Sequence, residues 1–274
     1  MQNNPIWAPS WKGLIGVAAT FLTGVLISSA LSVFLIRAGL DQQQSMLLSY
    51  PVMFLPVIVL AILKSRTTQV AVKSHVSRSL KVTDWPLILL VALLTFSAAF
   101  LSEAINNCLP EMPDYLKEAL SVATGGNFLL NFLCVALMAP VLEEFLCRGL
   151  VLRGIVRNGG SPSVAILVSA LFFALIHGNL WQAIPAFLLG VLFGYVYYKT
   201  DCLWLSVIMH FTNNCTSLVI SRIEGIAEDA TWMSVMPIGC YWVLFVFFAI
   251  ALVLGIREIS SLHVVNSKNV SSVF

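Results

Sequence analysis

The chain has 274 residues, 59% of them hydrophobic and only 10% charged, with a net charge of +2 and a mean hydropathy of +0.91. Soluble domains carry roughly 25% charged residues, so a soluble fold could not solvate this chain, and the predicted class is an all-α, multi-pass transmembrane helical bundle. The small net charge gives no sign of nucleic acid, and no such partner is expected.

The length suits a single integral membrane domain over 1–274, since each crossing needs about 20 apolar residues. Residues 1–11, with Pro5 and Pro9, lack the short basic region and cleavage site of a signal peptide and are expected to stay attached. Apolar segments follow at about 12–36, 45–63, 85–105, 127–152, 162–180, 182–199, 202–220 and 234–256, which predicts eight crossings. Between the third and fourth, the spacing of Leu109, Met112, Leu116 and Leu120 predicts a short amphipathic helix at the outer face. No internal repeat stands out, and the polar tail from Ser260 to Phe274 is expected to be loosely ordered. The six cysteines (Cys108, Cys134, Cys147, Cys202, Cys215 and Cys240) form no CxxC pair and read as small core hydrophobes.

Loop charges orient the bundle. Lys64, Arg66, Lys73, Arg78 and Lys81 outnumber Asp84 after the second span, and such a basic excess marks a cytoplasmic side. Alternation then puts Glu103, Glu111, Asp114 and Glu118 outside, together with Glu224, Glu228 and Asp229. Lys12, Arg153, Arg157, Lys199, Arg257 and Lys268 fall inside by the same count. Both termini are predicted to be cytoplasmic, with a bacterial cytoplasmic membrane as the expected location.

Ionisable side chains in hydrocarbon are costly and tend to mark sites. The fourth segment carries Glu143, Glu144 and Arg148 just after Pro140. Glu144 and Arg148 are four apart and share a helical face, with the acid N-terminal, the better order for an ion pair. Glu143 points about 100° away, without that partner, and a buried carboxylate lacking a counter-ion suits a general base. Alone, this segment could equally be a structural clamp. The fifth segment ends in Phe173 to His177, and His177 alone could be a helix-terminal or interface histidine. In the seventh, His210 and Asn214 are four apart on one face, a pattern also used as interhelical glue. By helical rise from an inner boundary near 157–160, Glu143 lies roughly 20 Å and His177 about 25 Å up their helices, but His210 is only about 14 Å beyond Asp201. Depth therefore pairs Glu143 with His177 better than with His210, unless a tilt or a bend near Gly149 and Gly154 absorbs the difference.

Taken together, EExxxR (Glu143 to Arg148), FxxxH (Phe173 to His177) and HxxxN (His210 to Asn214) resemble the CPBP intramembrane endopeptidases, the family that includes the CAAX prenyl proteases and the bacteriocin-processing or immunity proteins. The resemblance covers about 127–220, expected to be the catalytic core, and implies an eight-helix bundle with its site inside the membrane. Peptide hydrolysis needs an activated water, a stabiliser for the oxyanion and a proton for the leaving amine. Glu143 with His177 would hold and deprotonate the water. His210 and Asn214 would form the oxyanion hole, a division the resemblance also implies, while Glu144 orients the site through Arg148. Alternatively Glu143 or Glu144, His177 and His210 could ligate zinc, as two histidines and a carboxylate often do. A metal-free mechanism is the expected one, with zinc the alternative.

The expected substrate is a membrane-embedded, lipidated or CAAX-like peptide. The absence of GxSxG, and of aspartate inside any predicted span, argues against serine and aspartyl intramembrane proteases. A proton-coupled transporter also uses buried acids and histidines, but the chain lacks the repeats of that class. A non-catalytic immunity or scaffold protein on the same bundle is the third reading.

Overall fold

The structure is a computed structural model, and it describes residues 7–67, 84–106, 108–223 and 231–262. Its elements are helical, with no strand among the described residues. Seven stretches are long and apolar enough to cross a membrane: Trp11–Arg37, Gln42–Ser65, Trp85–Ile105, Phe128–Arg157, Leu180–Thr200, Leu203–Ile220 and Ile238–Ser261. The remaining predicted span is a shorter apolar helix, Pro162–Leu175. Its 14 residues rise about 21 Å, less than the roughly 30 Å of a hydrocarbon core. The protein is an integral membrane protein with a helical bundle of the predicted class. The basic residues Lys73, Arg78 and Lys81, the acidic Glu224, Glu228 and Asp229, and Lys268 lie outside the described residues, as does the tail beyond Leu262.

Helix α1 (Trp11–Arg37) packs against a broken second span made of α2 (Gln42–Ser49), a 3-10 turn at Tyr50–Phe54 and α3 (Leu55–Thr67). The break follows from Pro51 and Pro56, which lack the N–H groups an α-helix needs there. Next come α4 (Trp85–Asn106) and the amphipathic α5 (Asp114–Thr124), which buries Leu116. Prolines at 110 and 113 delay its start relative to the hydrophobic spacing.

The fourth span alternates between two windings. Helices α6 (Phe128–Asn131), α7 (Ala139–Glu144) and α8 (Arg153–Arg157) are separated by wider, π-wound stretches at Phe132–Met138 and Phe145–Leu152. Pro140 cannot donate to the carbonyl four residues back and its ring crowds that carbonyl, so the preceding turn widens. In the second stretch Ser169 Oγ donates to the Cys147 carbonyl at 2.8 Å, a side chain inserted into the helical ladder, and Arg153 N–H reaches back five residues to Arg148 O.

Helix α9 (Pro162–Leu175) forms a hairpin with α10 (Leu180–Thr200), and Asp201 at φ 49° ends α10 before α11 (Leu203–Ile220). Helix α11 lies against α4, α7 and the first π-wound stretch, while the short α12 (Trp232–Val235) leads into α13 (Ile238–Ser261) on the far side of α4. The α9–α10 contact is close. A Cβ on Gly190 would stand 3.1 Å from Ala170 Cα and 3.2 Å from Phe173 Cδ1, which is why a residue without one sits there. All six cysteines are free, but only Cys134 and Cys147 are core residues; Cys108 and Cys240 are exposed.

Candidate active site

The three motifs meet around one cavity of about 580 Å³, lined by Tyr50, Glu143, His177, His210 and Asn214 among others. Glu144 and Arg148 stand behind it, both fully buried. Arg148 Nη1 donates to Glu144 Oε1 at 2.7 Å, and its Nη2 donates to the Gly190 carbonyl at 2.8 Å. The guanidinium carbon also lies 4.8 Å from the Phe173 ring centre and 5.5 Å from that of Phe193, so aromatic faces complete its surroundings. A charge this deep needs such partners, because an unpaired one would be strongly destabilising.

His210 joins the two acids. Its Nδ1 lies 3.0 Å from Glu144 Oε1, the oxygen that Arg148 also uses, and its Nε2 is 4.0 Å from Glu143 Oε2. The first is a hydrogen bond, and since an ionised carboxylate only accepts, Nδ1 carries the proton. The second is too long for a direct hydrogen bond. Glu143 is buried as well; its Oε1 accepts from Tyr50 Oη, while Oε2 has no partner among the described residues.

His177 lies beyond the end of α9, in the turn closed by Gly178 at φ 69°, rather than inside a continuous span to 180. Its Nδ1 lies 2.8 Å from the Phe173 carbonyl, an acceptor, so Nδ1 carries the proton and Nε2 keeps a lone pair. Phe173 stands edge-on to both histidines, with ring centres 5.0 Å from His177 and 5.1 Å from His210. Asn214 Nδ2 donates to the Val135 carbonyl at 2.9 Å, and its Oδ1 accepts from Asn213 Nδ2 at 3.1 Å. That carbonyl belongs to the first π-wound stretch.

Depth along the helices pairs Glu143 with His177 better than with His210, yet His210 lies against both glutamates. The α-helical rise does not hold through residues 145–152, which are π-wound; a wider coil climbs less per residue, so Glu143 sits lower than an unbroken α-helix would place it.

Tyr50 escaped the sequence reading. Nothing in the spacing of the second span relates it to Glu143, 93 residues away. The available signal was a phenol beside Pro51 within an otherwise apolar run, since a buried tyrosine hydroxyl generally requires a partner.

The zinc alternative would draw on Nε2 of the two histidines and Oε2 of the two glutamates. Among the described residues no three His, Cys, Asp or Glu side chains converge as a metal site requires. Glu144 Oε1 is already shared by Arg148 and His210, and Nδ1 of each histidine is engaged.

No curated protein and no solved structure matches the chain. Residues 125–216, about a third of its length, match the family model of the Rce1-like type II CAAX prenyl endopeptidases. All three motifs fall within those bounds, so it is over that segment that the chain is similar to this family.

Proposed function

We propose that this protein is an intramembrane endopeptidase that hydrolyses a peptide bond of a membrane-associated substrate, lipidated or CAAX-like at its C-terminal end, without a metal ion. The observation that carries this reading is the pairing of an unpartnered Glu143 Oε2 with His210 Nε2 across 4.0 Å at the wall of a cavity that His177 also lines. A water held between Glu143 Oε2 and His177 Nε2 attacks the scissile carbonyl carbon as Glu143 takes its proton. The oxyanion accepts from His210 Nε2 when that imidazole is protonated and from the second N–H of Asn214. Collapse breaks the C–N bond as the proton on Glu143 passes to the leaving amine. Glu144 and Arg148 hold His210 and take no proton.

The test is cleavage of a farnesylated CAAX-terminated peptide by purified protein, with Glu143→Ala beside wild type. Loss of the base should lower the rate by about 10²- to 10⁴-fold while the protein stays in the membrane with its melting temperature retained. Near-normal cleavage by Glu143→Ala would sink the assignment, and proton-coupled flux in proteoliposomes without cleavage would identify a transporter.

A further inference from the structure

We propose that Tyr50 is a positioning residue of this reaction, holding Glu143 by one carboxylate oxygen so that the other is presented to water. The role rests on the endopeptidase reading above, and it comes from a part of the chain, 75 residues before the family match begins, that none of the three motifs touches.

The second span breaks where this phenol is needed. Its 3-10 turn is held from two sides by α1. Ser28 Oγ donates to the Ser49 carbonyl at 2.8 Å in a buried contact, and a Cβ on Gly24 would fall 1.9 Å from the Met53 carbonyl oxygen, so the two backbones touch. The Tyr50 ring rests on Phe54, with ring centres 5.5 Å apart. A hydroxyl on so constrained a turn has little freedom, and it donates to Glu143 Oε1.

Glu143 itself needs that restraint. The terminal torsion of a glutamate is broad and roughly two-fold, and Glu143 lacks the arginine that fixes Glu144. The tyrosine bond occupies Oε1 and leaves Oε2, the oxygen facing His210, as the free acceptor. Glu144, Arg148, His177 and His210 are the other ionisable groups of the three motifs, Cys134, Glu103 and Lys117 also line the cavity, and Arg148 is bonded to Glu144 rather than to Glu143. Without Tyr50 the carboxylate would turn among several orientations, and misplacement of a reacting group by a fraction of an ångström is costly to the rate.

The experiment uses full-length protein in detergent micelles and an internally quenched farnesylated CAAX-terminated peptide. Tyr50→Phe removes one oxygen and keeps the ring. It should lower kcat by about 10- to 100-fold, with KM within about twofold and an unchanged melting temperature. A 3-fluorotyrosine at position 50, which retains the ring and O–H, should keep kcat within about threefold of wild type. Wild-type kcat in Tyr50→Phe overturns the role, as does a rise in KM at constant kcat, which would make Tyr50 a substrate contact. So does a loss of kcat that follows a fall in melting temperature. A wild-type protein that cleaves no probe overturns the endopeptidase reading and this role with it; an active wild type with an unaffected Tyr50→Phe overturns the role alone.

Discussion

Two adjacent glutamates on one helix live in opposite circumstances. Glu144 is fully buried and its Oε1 takes hydrogen bonds from Arg148 and His210. Glu143 lies at the cavity wall with a phenol on Oε1; Oε2 of each acid is without a hydrogen bond among the described residues, and that of Glu143 stands 4.0 Å from His210 Nε2. The 100° between successive residues of a helix separates them: one faces α10 and α11 and is tied to the scaffold, the other faces space a substrate can enter. The face behind the cavity should govern stability, and the face lining it should govern turnover.

The largest expected effect breaks the tied face. Arg148→Met removes a guanidinium that bonds Glu144 and Gly190 and lies near two aromatic rings, leaving a buried carboxylate with only His210 beside it. Removing one partner of a buried pair costs about 3–5 kcal/mol. Unfolding in detergent should register that loss, whereas Glu143→Gln, whose nearest possible counter-charge is His210 Nε2 at 4.0 Å, should lie within about 1 kcal/mol of wild type. Equal destabilisation by the two would erase the distinction between the faces.

Asn214 sharpens the comparison on the cavity side. As an oxyanion donor, its replacement by Ala should lower kcat by roughly 10²- to 10³-fold with the melting temperature nearly kept. Asn213 is not a silent neighbour, because its Nδ2 donates to Asn214 Oδ1 and helps orient that amide. Asn213→Ala should therefore give a smaller drop in kcat, of about 10-fold. Parallel loss of stability and activity in both variants would make the pair interhelical glue.

What the sequence made legible divides along similar lines. Hydropathy located the crossings because a membrane imposes one length and one polarity on every span. The spacing of Glu144 and Arg148 foretold their bond because both sit on one α-helical turn. The junction of His210 with both acids was not legible, since it depends on how far a π-wound stretch climbs, and that depends on Ser169 of another helix reaching the Cys147 carbonyl. Tyr50 was illegible for a related reason: a hydrogen bond between distant spans leaves no periodicity in either.

A smaller effect is expected where the two faces share a support. Gly190 accepts from Arg148 through its carbonyl and lets α9 approach closely enough for Phe173 to reach both histidines. Gly190→Ala would put a methyl 3.2 Å from Ala170 Cβ and Phe173 Cδ1, so α9 must give by a few tenths of an ångström. Overpacking of this kind costs about 1–3 kcal/mol. Because the Phe173 carbonyl also holds His177 Nδ1, the variant should lose both stability and kcat, each by less than the variants above.

The smallest expected effect is none, and it concerns metal. A catalytic zinc usually takes three protein ligands and leaves a position open. Here Glu144 has given Oε1 to Arg148 and His210, and both histidines have Nδ1 engaged, so Oε2 of each glutamate and the two Nε2 atoms remain. Among the described residues these groups do not converge as a metal-binding set. Glu143 Oε2 and His210 Nε2 stand 4.0 Å apart, as a base beside an oxyanion donor. Prolonged chelation of purified protein, checked by elemental analysis, should leave cleavage within about twofold of the untreated rate. Reversible loss of activity with one zinc per chain on add-back would mean that His177 swings onto a metal shared with Glu143 and His210, and the open face of the helix would then be a ligand set rather than a base.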